Sequence, residues 1–363
     1  MLPRRSLIFF AGLFASLCFT ANGEPLRIVV AGDGRAEYQW NLKRSCDQDG
    51  INQTVTRAIV GAVLDEKAAI LLWTGDMANV DNAELGTFRK RLGIWRGIME
   101  PLYANKTKVW PVRGNHEVYR YPNPKNYDGE LMLDANSVWR EVFSGRYALP
   151  NNGPESETDL SFYSVEGSAL IIGLDQYGGA DQEPLPRKHS VNQPWLDQVL
   201  QQNKKPFIFV YGHEQAFMTG GRHADDDTLA ADAVARNSFW QSLVNAGAIY
   251  FCGHDHFYDR MSVTRKWADS PRAIFQITAG TAGAPGYGAG PYSDSTFWKL
   301  ERAAHFENVW GYVLVEVDGD KATITFKAAS ASNCGGTGQL VFKPKDQIVC
   351  DPSGCKAAPI QAP

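Results

Sequence analysis

Seven residues of this chain combine ligand chemistry with a shared kind of position: Asp33, Asp76, Asn115, His116, His213, His254 and His256. They fall in "AGDGR", "TGDMAN", "RGNHE", "YGHE" and "CGHDH", each at the end of an apolar run. Two carboxylates, one amide oxygen and several imidazoles make a mixed oxygen and nitrogen donor set. Such a set suits a pair of borderline cations (Fe, Mn or Zn) better than Mg or Ca. One glycine-flanked Asp after a strand is commonly a turn or a helix cap. Five such endings at the C-terminal ends of strands imply more, because that edge of an α/β sheet is where ligands bind. His254 and His256 stand two apart; on an extended segment they share a face and reach two adjacent metals.

The elements that must gather these loops are legible as apolar runs alternating with helix-period segments. "LRIVVAGD", "AAILLWTGD", "KVWPVRGNHE", "ALIIGLDQ", "PFIFVYGHE", "AIYFCGHDH" and "AIFQITAG" read as strands. "TVTRAIVGAVLDEK" places Val55, Ile59, Ala62 and Val63 on one helical face, and a second helix carries Leu85, Phe88, Leu92, Trp95, Met99 and Leu102. "QPWLDQVLQQ" and "ADAVARNSFWQSLVNA" are also helical, and "VWGYVLVEVDGDKATITFKAA" reads as a hairpin. The pattern is α/β with packed sheets and flanking helices. Residues 281–307, rich in Gly, Pro and aromatics, read as a long loop. No linker divides the chain, so residues 24–345 form one domain and 346–363 a tail.

A 44% hydrophobic content over 363 residues is ample for a large core and excludes a disordered chain. Residues 1–23 read as a signal peptide: Arg4-Arg5, an apolar run from Leu7 to Phe19, then small residues before Glu24. The expected location is periplasmic or secreted. Net charge is −4, and about −6 once Arg4 and Arg5 leave with the signal. With no basic block and no later apolar span, neither a nucleic-acid partner nor a membrane span is expected. In an oxidising compartment a disulfide is expected in the tail, where Cys350 and Cys355 flank "DPSG" and Cys334 lies shortly before; Cys46 is a further candidate for pairing. Cys252, at a strand end, is the candidate for a buried free thiol.

The ordered set Asp33, Gly75-Asp76, Gly114-Asn115-His116-Glu117, His213 and Gly253-His254-x-His256 resembles the motifs of calcineurin-like metallophosphoesterases, a superfamily that includes the purple acid phosphatases. The resemblance implies a four-layer αββα sandwich of two mixed β-sheets flanked by helices. It makes Asp76 the carboxylate bridging two metals, with Asp33 and His256 on the first metal and Asn115, His213 and His254 on the second. It makes His116 a non-ligand that assists the leaving group, and Glu117 a support for its loop. The sequence departs from the pattern twice, with Arg35 at the histidine of "DxH" and Asn79 at the tyrosine of "GDxxY". Asn79 can coordinate through its amide oxygen, whereas Arg35 has no acceptor. Arg35 either faces a substrate phosphate or makes an ion pair at the rim. Loss of an anionic ligand favours a divalent pair over a ferric one.

Two cations can orient a phosphoryl group and stabilise the charge that develops on it, while an imidazole donates a proton to the departing oxygen. The expectation is therefore hydrolysis of small phosphomonoesters. A phosphodiesterase of the same superfamily and a non-catalytic metal- or phosphate-binding homologue are the alternatives. "HEVYR" and "HEQAF" lack the second histidine of a zinc-protease helix, and there is no GxSxG elbow. "GTAGAPGYGAG" lacks a Walker lysine and reads as a rim over the site. Arg222 and His223 are candidate substrate contacts; His189 and His305 read as surface residues.

Overall fold

Strands buried on both faces read as unbroken apolar runs, and that is the character of the strands that carry the site. The computed structural model describes residues 24–36, 49–80, 84–121, 129–179, 189–219, 228–267, 273–292, 295–331 and 339–360. The signal segment 1–23, Cys46, Arg222, His223 and Cys334 lie outside the described residues. In chain order the strands are β1 (Leu26–Ala31), β2 (Ile70–Trp73), β3 (Lys108–Pro111), β4 (Tyr119–Arg120), β5 (Glu130–Leu131), β6 (Phe162–Glu166), β7 (Ala169–Gly173) and β8 (Phe207–Tyr211). They continue with β9 (Ile249–Cys252), β10 (Tyr258–Arg265), β11 (Ile274–Ala279), β12 (Trp298–Phe306), β13 (Val309–Asp318), β14 (Lys321–Ser330), β15 (Lys343–Asp351) and β16 (Gly354–Ala357). The helices are α1 (Gln53–Asp65), α2 (Leu85–Ile98), α3 (Glu100–Ala104), α4 (Ala135–Val142), α5 (Gln193–Gln202) and α6 (Ala233–Ala246).

Two seven-stranded mixed sheets result, in the orders β16-β15-β14-β13-β1-β2-β3 and β12-β10-β11-β9-β8-β7-β6, while β4 and β5 pair apart. The expected αββα sandwich is thus the observed fold. Alternation divides the second sheet's apolar residues between two cores. Phe207, Phe209, Tyr211 and Phe251 point to the core shared with the first sheet, α1 and α2. Ile208, Val210, Tyr250 and Cys252 point to the core under α5 and α6. Val55, Ile59, Ala62 and Val63 are all buried along α1, whose first turn is capped by the Asn52 side chain accepting from the Val55 amide. Asp232 caps α6 in the same way, and Gly247 closes that helix at φ 69°. Cys252 is a buried free thiol.

Three sequence readings change. The single helix expected over Leu85–Leu102 is two, α2 and α3, meeting at Met99, because Pro101 has no amide hydrogen to continue the ladder. The loop expected over 281–307 ends in strand β12, which pairs with β10. Its Lys299, Glu301 and Arg302 are the charges of a sheet edge, and they mask the strand signal. Of the segment set apart as a tail from residue 346, residues 346–351 lie in β15 and 354–357 in β16 at the edge of the first sheet, where Cys350 pairs with Cys355 in a disulfide.

That edge also ties the sheets together. Asp346 in β15 accepts from Arg260 Nε at 2.6 Å, from Arg260 Nη2 at 2.9 Å and from the Tyr258 hydroxyl at 2.7 Å, both partners being in β10. A carboxylate bonded on both oxygens offsets the burial of the guanidinium; removing it strands a buried charge. Asp346→Ala should destabilise the protein by about 3–5 kcal/mol, read as a lower urea midpoint at unchanged slope. An unchanged midpoint would show that the sheets do not rely on this clamp.

Candidate metal centre

The loops after β1, β2, β3, β8 and β9 converge, and backbone geometry turns their side chains inward. Asp33, Asp76 and His254 have φ of 62°, 51° and 70°, the left-handed region that Asp and His enter more readily than most residues. Such strain persists where the surrounding structure over-determines it, and it concentrates at functional sites. The segment from Gly253 to Phe257 is accordingly folded rather than extended: the Asp255 amide donates to the Gly253 carbonyl at 2.8 Å and the Phe257 amide to the Asp255 carbonyl at 2.9 Å. His254 and His256 reach different partners through these turns, not through strand alternation. Glycine is required where loops touch ligands. A Cβ on Gly114 would lie 2.2 Å from Asp76 Oδ1, and one on Gly253 would lie 2.2 Å from Asp33 Oδ2.

One group of donors gathers Asp76, Asn115, His213 and His254. His213 Nδ1 is 2.7 Å from the Thr74 carbonyl, which can only accept, so Nδ1 carries the proton and Nε2 presents a lone pair. That nitrogen faces Asn115 Oδ1 at 2.9 Å, His254 Nδ1 at 3.0 Å and Asp76 Oδ1 at 3.4 Å. The Asn115 oxygen is aimed inward because its amide nitrogen donates to the Tyr121 hydroxyl at 2.6 Å. A single proton on His254 Nδ1 cannot serve all of these lone pairs at once, whereas a cation can, so these residues fit a metal ion.

The second group is Asp33, Asp76 and His256, whose ligand atoms lie within 4.8 Å of one another. His256 donates from Nδ1 to the Pro285 carbonyl at 2.9 Å, which leaves Nε2 facing inward, 3.7 Å from Asp33 Oδ1. Arg35, placed by the sequence either at the rim or against substrate, lies inside this group and is 8% exposed. Its Nε donates to Asp76 Oδ2 at 3.2 Å and its Nη2 to His256 Nε2 at 3.2 Å. Asn79 directs its side-chain amide at the Ala36 carbonyl, 3.5 Å away, and its backbone is tied to Gly50.

Burial and the nearby Asp76 charge push the Asp33 carboxyl well above its ordinary range. Burial works the same way on Asp76, but His213, His116 and Arg35 outweigh it and hold that carboxyl low. The Asp33 carboxylate also receives the His254 amide at 3.1–3.2 Å. His116 stands beside both groups without joining either: its amide donates to Asp76 Oδ1 at 3.1 Å, and its Nε2 is 3.8 Å from Asp76 Oδ2.

Glu117 braces the centre. It accepts from the amides of Gly114 (2.8 Å), Asp76 (2.8 Å) and Met77 (2.9 Å), tying the loop after β2 to the loop after β3. Burial and Asp76 push it up to about 8 against the pull of those amides. Supports that sequence reading missed include Gln176, whose Oε1 accepts from the amides of His213 and Glu214 at 2.7 Å each. Its signal was one more strand ending, "LIIGLDQ". Tyr287 donates to Asp255 Oδ1 at 2.9 Å and lies over the His256 ring, and with Pro285 it comes from the Gly-rich stretch. For Tyr121 no sequence signal existed. His189 is buried against Glu214 at 2.8 Å rather than on the surface. His305 joins Asp259 at 3.0 Å and Glu307 at 2.9 Å.

Two mixed sheets with aspartate, asparagine and histidine ligand loops at one crevice define the metallophosphatase architecture. The sequence matches the calcineurin-like phosphoesterase family over residues 26–258, and the chain belongs to that family, which typically binds a dimetal centre. No curated protein sequence matches it. Among solved structures it is similar to a purple acid phosphatase from yellow lupin (Lupinus luteus) seeds, with a TM-score of 0.57 at 14% identity over 93% of this chain and 57% of that one. The chain thus spans little more than half of the lupin protein's length. It is also similar to a dimetal phosphatase from Danio rerio, with a TM-score of 0.51 at 14% identity over 86% of this chain and 98% of that one. At this identity the two structures speak to the fold.

Two outcomes follow from these contacts. Glu117→Ala leaves three amides without their acceptor, so it should lower stability by on the order of 3 kcal/mol and weaken metal binding roughly 10–100-fold. Paired urea and chelator titrations would check it, and unchanged metal affinity would remove Glu117 from the support of the centre. For His305, burial lowers the pKa, but hydrogen bonds to Asp259 and Glu307 prevail and raise it. Its stabilising effect is therefore complete below the unfolded value of about 6.5 and lost as pH rises through the higher folded value. The stability gap between wild type and His305→Gln should be widest in mild acid and close above that pH.

Proposed function

We propose that this chain is an exported, metal-dependent phosphomonoesterase acting on small phosphate esters. The observation that carries the reading is the convergence of inward lone pairs from Asp76, Asn115, His213 and His254, with His116 placed beside them but outside the ligand set. Asp76, Asn115, His213 and His254 would hold one divalent ion (Fe, Mn or Zn), and Asp33, Asp76 and His256 form a second cation position. A bound ion supplies Lewis-acid polarisation of the phosphoryl oxygens and an activated water nucleophile. The chain's own groups do the rest. Asp76 would be shared by the two positions, one oxygen facing the His213 ring and the other accepting from Arg35. His116 donates a proton from its imidazole to the departing ester oxygen. Tyr121, in ring contact with His116 at 5.0 Å, sets that imidazole's orientation.

Export is supported by the Arg4-Arg5 start and the apolar run to Phe19. Among the described residues no helix is long and apolar enough to cross a membrane.

Hydrolysis of p-nitrophenyl phosphate should exceed that of bis-p-nitrophenyl phosphate; the reverse order would make the chain a phosphodiesterase, and neither would make it a binding homologue. Asp76→Ala should abolish activity together with most bound metal. His116→Ala should lower turnover by roughly two to four orders of magnitude with metal content unchanged. Should His116→Ala lose its metal as well, the proton-donor role is wrong.

A further inference from the structure

The second cation position already has a cation beside it. Arg35 lies two residues beyond Asp33, and its backbone is anchored at both faces. Its amide donates to the Asp76 carbonyl at 3.2 Å, and it forms an isolated antiparallel bridge with Ile51. The buried guanidinium then spans the two ligand atoms that a metal at this position would need, Asp76 Oδ2 and His256 Nε2. The Pro285 carbonyl keeps the His256 proton on Nδ1, so Nε2 can only accept, and the Arg35 N–H is the donor that it faces. Nothing at protein pH deprotonates a guanidinium, so this positive charge is permanent.

We propose that the Arg35 guanidinium occupies the role of one of the family's two metals, so that the centre binds a single divalent ion at Asp76, Asn115, His213 and His254. This rests on the phosphoesterase reading and specifies its cofactor. Asp33 and His256 then act as partners of the centre's electrostatics rather than as metal ligands: His256 accepts from Arg35, and Asp33 holds the His254 amide. The departure from "DxH" is on this account a replacement of metal charge by side-chain charge.

The test is metal stoichiometry, with activity secondary. The full chain, stripped by chelation and reloaded with Mn(II), should retain about one ion after dialysis and show the spectrum of an isolated Mn(II) by electron paramagnetic resonance. Arg35→His supplies a ligand where the guanidinium lay, and it should bind about two ions and show an exchange-coupled pair; Arg35→Ala, which only vacates the position, should raise the stoichiometry in the same direction. About two ions with a coupled spectrum in the wild-type chain would overturn this inference and leave the phosphoesterase reading standing. No retained metal in the wild type would overturn both. The wild-type stoichiometry and spectrum decide the matter even where a variant fails to fold.

Discussion

A buried carboxylate, Asp76, sits at the seam between the two sheets, and the loops around it are arranged to satisfy its charge. One oxygen accepts the His116 amide and faces the His213 ring; the other accepts from Arg35 and faces the His116 ring. Burying an ionised carboxylate without such partners costs several kcal/mol even after relaxation. Each partner arrives from a different strand end: β1 for Arg35, β3 for His116 and β8 for His213. The convergence of the loops and the ionisation of Asp76 are thus one requirement seen from two sides.

The rest of the centre holds orientation. Carbonyls of Thr74 and Pro285 take the outer protons of His213 and His256, so both rings present lone pairs inward without any choice of tautomer left to solvent. Glu117 and Gln176 do the same for backbone, each receiving amides from the ligand loops. These are hydrogen bonds from rigid elements, and they keep three non-glycine residues in left-handed conformations that an isolated loop would abandon. The two apolar cores supply the rigidity. Neighbouring residues of β7, β8 and β9 point into different cores, so a slip of one residue would exchange their faces and displace the ligand that follows each of β8 and β9.

Arg35 places a guanidinium among residues of ligand type while the fold of the family is kept. Its neighbours Asp33, Asp76 and His256 keep the types expected of metal ligands, yet two of them bond to the guanidinium. A fixed monovalent charge on a tethered stem polarises less than a divalent ion, but it needs no metal supply and cannot dissociate.

Sequence alone determined the fold class and which strand ends carry ligand-type residues, because both rest on local signals. Runs such as "AIYFCGHDH" combine a doubly buried strand with its terminal ligands in one short stretch, and five such runs in order are distinctive. The expectation that His116 stands apart from the ligands comes from the resemblance to the family's ordered motifs, not from a local signal. What tertiary structure decided was every relation that depends on distance between strands. Whether Arg35 pointed to the rim, to substrate or to His256, 221 residues away, could not be read from "GDGR". Nor could the left-handed turn at His254, which replaces the expected extended segment, since its φ is set by Asp33 accepting its amide from another strand. The strand β12 was hidden by its charged edge, and Asp346 looked like the start of a tail until its partners in the other sheet were in place. Residue types and spacing specify which groups can meet; only the packing of one sheet against the other specifies which of them do.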